Sequence, residues 1–294
     1  VRYAAIDIGS NAVRLLIADI NQHESSIQFK KNTLIRVPLR LGDDAFINHH
    51  ISDAKKNDLV KVMHSFKQLM DVYKVSDYMA CATSAMREAN NGDEIMEQIC
   101  DLGVHLEIIE GAKEASILYN SHVEKQLDPK KAYLYIDVGG GSTELSLFAE
   151  GEWVASQSFD IGTIRILDNQ DREETWEDMR NWVKMQTQPY KALYGIGTGG
   201  NINKLSRLAN KVDKPLSYAK LQYLHQYLLG FSMKDRINVL GLNSDRADVI
   251  IPACEIFLTL MKVGKLRQII VPRVGLVDGI IHTLIERNFP MQNQ

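Results

Sequence analysis

The sequence is poor in the features that most readily betray a function. It has only three cysteines, Cys81, Cys100 and Cys254, an odd number set far apart, which argues against a disulfide framework and against a zinc site. A reduced, cytoplasmic setting is the expectation that follows. An excess of charge of either sign is also lacking. With 34 Lys and Arg against 37 Asp and Glu, the formal net charge is −3, and no global field gathers a polyanion. An acidic substrate must then be held by local backbone dipoles and a few basic side chains. Long apolar runs are missing as well. The longest, Val249 to Met261, contains Pro252 and Glu255 and is too short to span a bilayer. The N-terminus opens on a strand pattern, without the basic and apolar segments of a signal peptide. No low-complexity linker and no coiled-coil heptad occurs, and neither membrane nor nucleic acid is expected as a partner.

What is present is ordinary bulk and one repeated local pattern. A chain of 294 residues exceeds the usual single core, so two domains are expected, and 45% hydrophobic with 24% charged residues is a soluble globular composition. Asp7-Ile8-Gly9-Ser10-Asn11 follows the apolar run Tyr3 to Ile6 and leads into Val13 to Ile17. Asp137-Val138-Gly139-Gly140-Gly141-Ser142 follows Ala132 to Ile136 and leads into Leu145 to Phe148. Each copy reads as a strand, a tight polar turn and a strand returning beside it. Glycine lets such a turn adopt backbone angles other residues avoid, and it leaves consecutive N–H groups open to an anion. The aspartate at the strand end offers a hard oxygen of the kind Mg²⁺ prefers. The two copies read as a phosphate clamp with one jaw per domain.

The rest of the chain frames these loops. A third apolar run lies around Thr33 to Leu41, followed by a loop carrying His49 and His50, which lack partners at metal spacing. Ser52 is placed to cap a helix with Leu59, Val62, Met63, Phe66, Leu69, Met70 and Tyr73 along one face. Asp77 to Ala82 reads as a strand, with Cys81 as core packing, and Thr83 to Ala89 as a loop entering a short helix. Asn91 to Glu94 has capping-box spacing for a helix to about Leu102. A strand over Leu106 to Ile109 and a helix over Ala112 to Val123 complete the first half. After a polar break at Asp128 to Lys131 the pattern restarts, with three strands through Ile161 and helices at Gly162 to Asn169 and Thr175 to Met185. A strand at Leu193 to Ile196 runs into a third glycine loop, Gly197-Thr198-Gly199-Gly200-Asn201. Helices then dominate to Val263, one with a face of Tyr218, Leu221, Leu224, Leu228 and Leu229, before a last strand at Gln268 to Val271 and a last helix at Gly275 to Arg287. Three strands followed by alternating helix and strand, performed twice, is the order of the ribonuclease H-like fold duplicated in actin-like (ASKHA) phosphotransferases. The expected fold class is therefore α/β, two ribonuclease H-like domains at 1–124 and 125–294 with an interdomain cleft, the last helix packing back on the first domain.

Seven motifs narrow the field. Asp7 to Leu15, Ala82 to Ala89, Ile108 to Ala115, Asp137 to Leu145, Gly162 to Arg165, Gly197 to Gly200 and Arg246 to Pro252 occur in the order they hold in the exopolyphosphatase / guanosine pentaphosphate phosphohydrolase family. The chain resembles that family over nearly its whole length, as a short member lacking the helical C-terminal domains of longer relatives. Three departures stand out. Ala12 occupies a usual serine position, Lys113 a position more often acidic, and Pro272 to Gly279 lacks the usual arginine and glutamate after its glycine-leucine pair.

The resemblance implies hydrolysis of a terminal phosphoanhydride. Such a reaction needs charge neutralisation, in-line alignment and a water held by a base, and its leaving group is already a stable anion. Glu114 is assigned as that base, its ordinary alternative being a carboxylate at a helix N-terminus. Ser10, Asn11, Thr83, Arg87, Gly139, Gly140, Gly141, Ser142 and Gly199 are the expected phosphate-binding set. For Arg87 a surface salt bridge is the rival, for Thr83 a helix cap, and for Gly199 packing against a helix. Asp137, Asp7 and Glu144 are the expected ligands of Mg²⁺ or another divalent cation; the aspartates otherwise tie down their own turns, and Glu144 otherwise faces solvent. Arg165 and Lys204 are treated as solvated charges. Expected substrates are inorganic polyphosphate or guanosine pentaphosphate, with an actin-like small-molecule kinase and a non-catalytic sensor as competing functions. A homodimer is plausible for the family, with no interface specified by the sequence.

Overall fold

A computed structural model describes residues 1–23, 26–119, 128–212 and 214–289. The chain divides into two compact units, Val1–His122 with Gly275–Gln294, and Val123–Val274. The expected boundary at 124–125 and the end of the helix expected to reach Val123 lie outside the described residues.

The first unit contains β1 (Arg2–Ile8), β2 (Val13–His23), β3 (Ser26–Val37), α1 (Leu41–Asn48), α2 (Asp53–Val72), β4 (Asp77–Ala82), α3 (Ser84–Glu88), α4 (Gly92–Asp101), β5 (Leu106–Ile108) and α5 (Gly111–Tyr119). The second contains β6 (Ala132–Val138), β7 (Thr143–Ala149), β8 (Glu152–Phe159), α6 (Thr163–Leu167), α7 (Glu173–Thr187), β9 (Leu193–Thr198), α8 (Gly199–Leu208), β10 (Leu216–Ser217), α9 (Tyr218–Leu229), α10 (Met233–Asn238), α11 (Ser244–Ala247), α12 (Ile250–Val263) and β11 (Gln268–Ile270). The closing helix α13 (Leu276–Asn288) belongs to the first unit.

The sheet of the first unit runs β3-β2-β1-β4-β5, and that of the second β10-β11-β9-β6-β7-β8. Apart from the added β10, the second order repeats the first: an antiparallel three-strand meander whose first strand pairs in parallel with the next. This is the duplicated ribonuclease H-like arrangement of the actin-like fold. Central strands β1 and β6 are buried on both faces, so their sequences are nearly continuous apolar runs. In the first unit α13 lays Leu276, Ile280, Ile281 and Leu284 against Tyr3, Ala5, Leu16 and Ala18. Arg287 donates to Asp77 at 2.7 Å and ties the end of α13 to β4. The core of the second unit gathers α7, α9 and α12 over β6, with Phe257 and Leu260 fully buried. Among the described residues no helix is long and apolar enough to cross a membrane.

Several local expectations are corrected. The segment after β3 is helical, forming α1 ahead of the exposed His49 and His50. Ser52 precedes α2 without a side-chain cap bond. Asn91 caps nothing either, because its amide serves Ile51, accepting from the backbone N–H and donating to the carbonyl. Buried tertiary partners compete successfully with helix ends for short polar side chains. Leu229 lies outside the buried face of α9, and Arg165 is buried rather than solvated.

Candidate functional site

Both glycine loops are four-residue hairpin connections closed by the same bond. Gly9 N–H donates to the Ala12 carbonyl at 3.2 Å, and Gly139 N–H to the Ser142 carbonyl at 2.9 Å. The N–H of Gly139 is therefore spent inside its turn, although that residue is in the expected phosphate-binding set. Loop carbonyls are tied back in both copies. Gly42 N–H reaches the Ser10 carbonyl and Arg40 N–H the Asn11 carbonyl; Thr163 N–H reaches Gly139, and Ile164 N–H reaches Gly140.

In the first unit the loop is linked to the segments carrying the other candidates. The Ser10 hydroxyl shares a buried 2.9 Å hydrogen bond with the Ser84 hydroxyl at the start of α3. Thr83, beside it, is buried and makes no side-chain cap bond. Arg87, at the far end of α3, donates to the Ile109 carbonyl at 2.8 Å and lies 3.7 Å from Glu110. Those residues lead directly into α5, whose first turn carries Glu114. Glycine is required at Gly92, where a Cβ would stand 2.1 Å from the Met86 carbonyl oxygen and push α3 aside. Lys113 turns to Glu107 in an exposed ion pair.

A row of side chains crosses the sheet at the level of each loop, because residues directly opposite on neighbouring strands share a face. In the first unit the row is Glu107, Cys81, Asp7, Arg14 and Arg36. Asp7 is 3% exposed and is ion-paired with Arg14. Burial pushes the Cys81 thiol up to about 12, and Asp7, Glu107 and Glu114 push the same way while Lys113 opposes them. Cys81 is thus an inert core thiol, and Asp7 and Glu114 both lie within electrostatic reach of it.

The matching row in the second unit is Thr198, Asp137, Glu144 and Ser158. The Thr198 hydroxyl donates to Asp137 at 3.0 Å, and the Ser158 hydroxyl to Glu144 at 2.9 Å. Asp137 is half-buried and Glu144 buried, and they stand opposite each other across β6 and β7. Like charges directly opposite on paired strands repel, so this acidic pair is suited to a cation. Gly199, at φ +85°, makes room here, since a Cβ would lie 2.5 Å from Asp137 Oδ1. The Asn201 amide donates to the Val138 carbonyl at 2.8 Å and draws the third glycine loop against the second.

Among the described residues no group of three or more His, Cys, Asp or Glu side chains is assembled for a metal. The donors present still fit Mg²⁺, which is commonly held by one or two carboxylates while substrate phosphates and water complete its shell. Asp137 and Glu144 are the residues that would hold it. The hydroxyls of Ser84, Thr198 and Ser158 were not among the expected site residues, although Ser84 and Thr198 stand inside two of the seven motifs.

Comparison with known proteins gives the fold a family. A "Bifunctional 3-dehydroquinate synthase/phosphatase" of Fusobacterium nucleatum is 30% identical over 273 residues, covering 84% of this chain. The chain spans only 41% of that relative's length. A protein of Haemophilus influenzae called "Putative exopolyphosphatase" is 25% identical over 302 residues, covering 97% of this chain and 92% of its own. The crystal structure of the Aquifex aeolicus member of the Ppx/GppA family superposes with a TM-score of 0.77 at 25% identity, covering 98% of both chains. The sequence pattern of the Ppx/GppA phosphatase family matches residues 16–288, and the chain belongs to that family.

Proposed function

We propose that this protein is a phosphohydrolase that releases terminal orthophosphate from inorganic polyphosphate by attack of water. The observation that carries the reading is the convergence within the first unit. Ser10 is bonded to Ser84, α3 delivers Arg87 to the Ile109 carbonyl, and the next turn presents Glu114. A loop hydroxyl, a guanidinium and the helix that carries a carboxylate are thereby linked on one scaffold. Family membership and the Haemophilus influenzae relative support the substrate class.

In this reading Glu114 accepts the proton of the attacking water, as one positioned carboxylate can. Arg87 anchors a phosphate through its guanidinium. In the first unit the N–H groups of its loop, with Ser10, Asn11 and Thr83, hold phosphoryl oxygens; in the second, Ser142 and the N–H groups of its own loop form a phosphate-binding set to which Gly199 gives access. A divalent cation held by Asp137 and Glu144 would neutralise charge on the phosphoryl oxygens. Asp7, committed to Arg14, shapes its own turn rather than binding the metal.

Guanosine pentaphosphate is the second substrate, since the same terminal phosphoanhydride is presented. The test is phosphate release from polyphosphate and from guanosine pentaphosphate, with and without Mg²⁺. Release from polyphosphate that needs Mg²⁺ is expected, faster release from guanosine pentaphosphate would exchange the two substrates, and release from neither would end the hydrolase reading.

A further inference from the structure

The two loops are both tied back through their carbonyls, and they differ in what holds the third one. In loop Gly9–Ala12 the carbonyl of the third residue, Asn11, accepts from a backbone N–H, that of Arg40, at 3.1 Å. In loop Gly139–Ser142 the third carbonyl, that of Gly141, accepts from a side chain: Arg165 Nε–H, at 2.6 Å. Arg165 is 7% exposed, and Asp160 lies 3.8 Å from its guanidinium. The same turn supplies the other ties. Thr163 N–H holds Gly139, while the N–H groups of Ile164 and Arg165 share the Gly140 carbonyl at 2.8 and 3.3 Å. Gly162 permits this contact, because a Cβ there would sit 2.2 Å from the Gly140 oxygen.

We propose that Arg165 is a positioning residue for the second glycine loop, acting on phosphate through the loop's backbone. Among the described residues no peptide bond is cis. In a trans peptide the carbonyl of one residue and the N–H of the next point in opposite directions. Drawing the carbonyls of Gly139, Gly140 and Gly141 toward α6 therefore turns the N–H groups of Gly140, Gly141 and Ser142 the other way, into an anion-binding nest. The buried guanidinium behind that nest adds positive potential without touching the ligand. Loop Gly9–Ala12 needs no such residue, since Arg40 and Gly42 supply backbone ties. This inference rests on the reading of Gly139–Ser142 as a phosphate loop.

The test compares Arg165→Met, which removes donor and charge at similar length, with Arg165→Lys, which keeps the charge but loses the planar donor. Binding of pyrophosphate in Mg²⁺ is measured by calorimetry, beside the thermal midpoint and the amide exchange of residues 139–142. The expected result is pyrophosphate binding weakened about tenfold or more in Arg165→Met, less in Arg165→Lys, with faster exchange at the loop in the folded variants. A folded Arg165→Met that binds as the wild type does, or a wild type that binds no pyrophosphate, overturns the proposal. If Arg165→Met does not fold, Arg165→Lys decides by the same binding and exchange readouts. A wild type that binds pyrophosphate yet hydrolyses no phosphoanhydride ends the hydrolase reading and leaves this one standing.

Discussion

Loops Gly9–Ala12 and Gly139–Ser142 share length, closing hydrogen bond and place in the sheet, and differ in the residue across the strand from their aspartate. Asp7 faces Arg14 and is neutralised by it, whereas Asp137 faces Glu144. One backbone device thus serves two electrostatic environments. The first is a self-contained ion pair, and the second is an acidic pair whose repulsion a bound cation would relieve. The difference teaches that a duplicated turn does not imply a duplicated role.

The largest expected effect tests whether the first unit supplies the base. Glu114→Gln should lower phosphate release by about 10³-fold while leaving substrate affinity nearly unchanged, as loss of a general base does. Full turnover in that variant, measured at saturating substrate, would remove Glu114 from the role.

Next comes the contrast between the aspartates. Asp137→Asn should raise the Mg²⁺ concentration needed for half-maximal activity by about 100-fold, whereas Asp7→Asn should leave it where it is. Mg²⁺ titrations of the two variants side by side break the comparison if the shifts are equal.

A stability effect follows at the tie behind the second loop. Gly162→Ala forces a methyl group into the Gly140 carbonyl and should destabilise the protein by about 2 kcal/mol, read by denaturant titration. An unchanged midpoint would show that the loop yields at little cost.

The smallest effect concerns the helix that returns to the first unit. Burial pushes the Asp77 carboxyl up, but hydrogen bonds from Arg287 and Asn288 outweigh it and hold the group below its ordinary value. A carboxyl depressed on folding contributes stability above its unfolded value of about 3.9, and that contribution is lost as pH falls through the folded value. The wild type should therefore lose thermal stability more steeply than Asp77→Asn as pH falls from about 3.9 through the folded value. Parallel slopes from pH 6 to 2 would assign the acid sensitivity elsewhere.

Much of the architecture was legible because burial leaves a period in the sequence. Strands β1 and β6 read as continuous apolar runs, and Leu59, Met63, Phe66 and Met70 mark the buried face of α2. Helix α1 was hidden because it is short, contains Gly42, Asp43 and Asp44, and begins after Arg40 in the left-handed region at φ 50°. The cap expected of Asn91 failed because local spacing does not reveal its competing tertiary partner, Ile51. In the candidate site, glycine and the preceding aspartate made the loops visible. The neighbours that give each loop its character were not visible, since Thr198 and Ser158 reach Asp137 and Glu144 only through strand register.

By itself the sequence determined two α/β halves, each with an aspartate-tipped glycine turn, because hydrophobic period and the backbone freedom of glycine are local properties. Only the tertiary structure decided that Arg14 neutralises one aspartate while Glu144 faces the other, and that Arg165 lies buried behind the second turn. Those pairings depend on which strands and turns come to lie side by side, and separation along the chain carries no record of that.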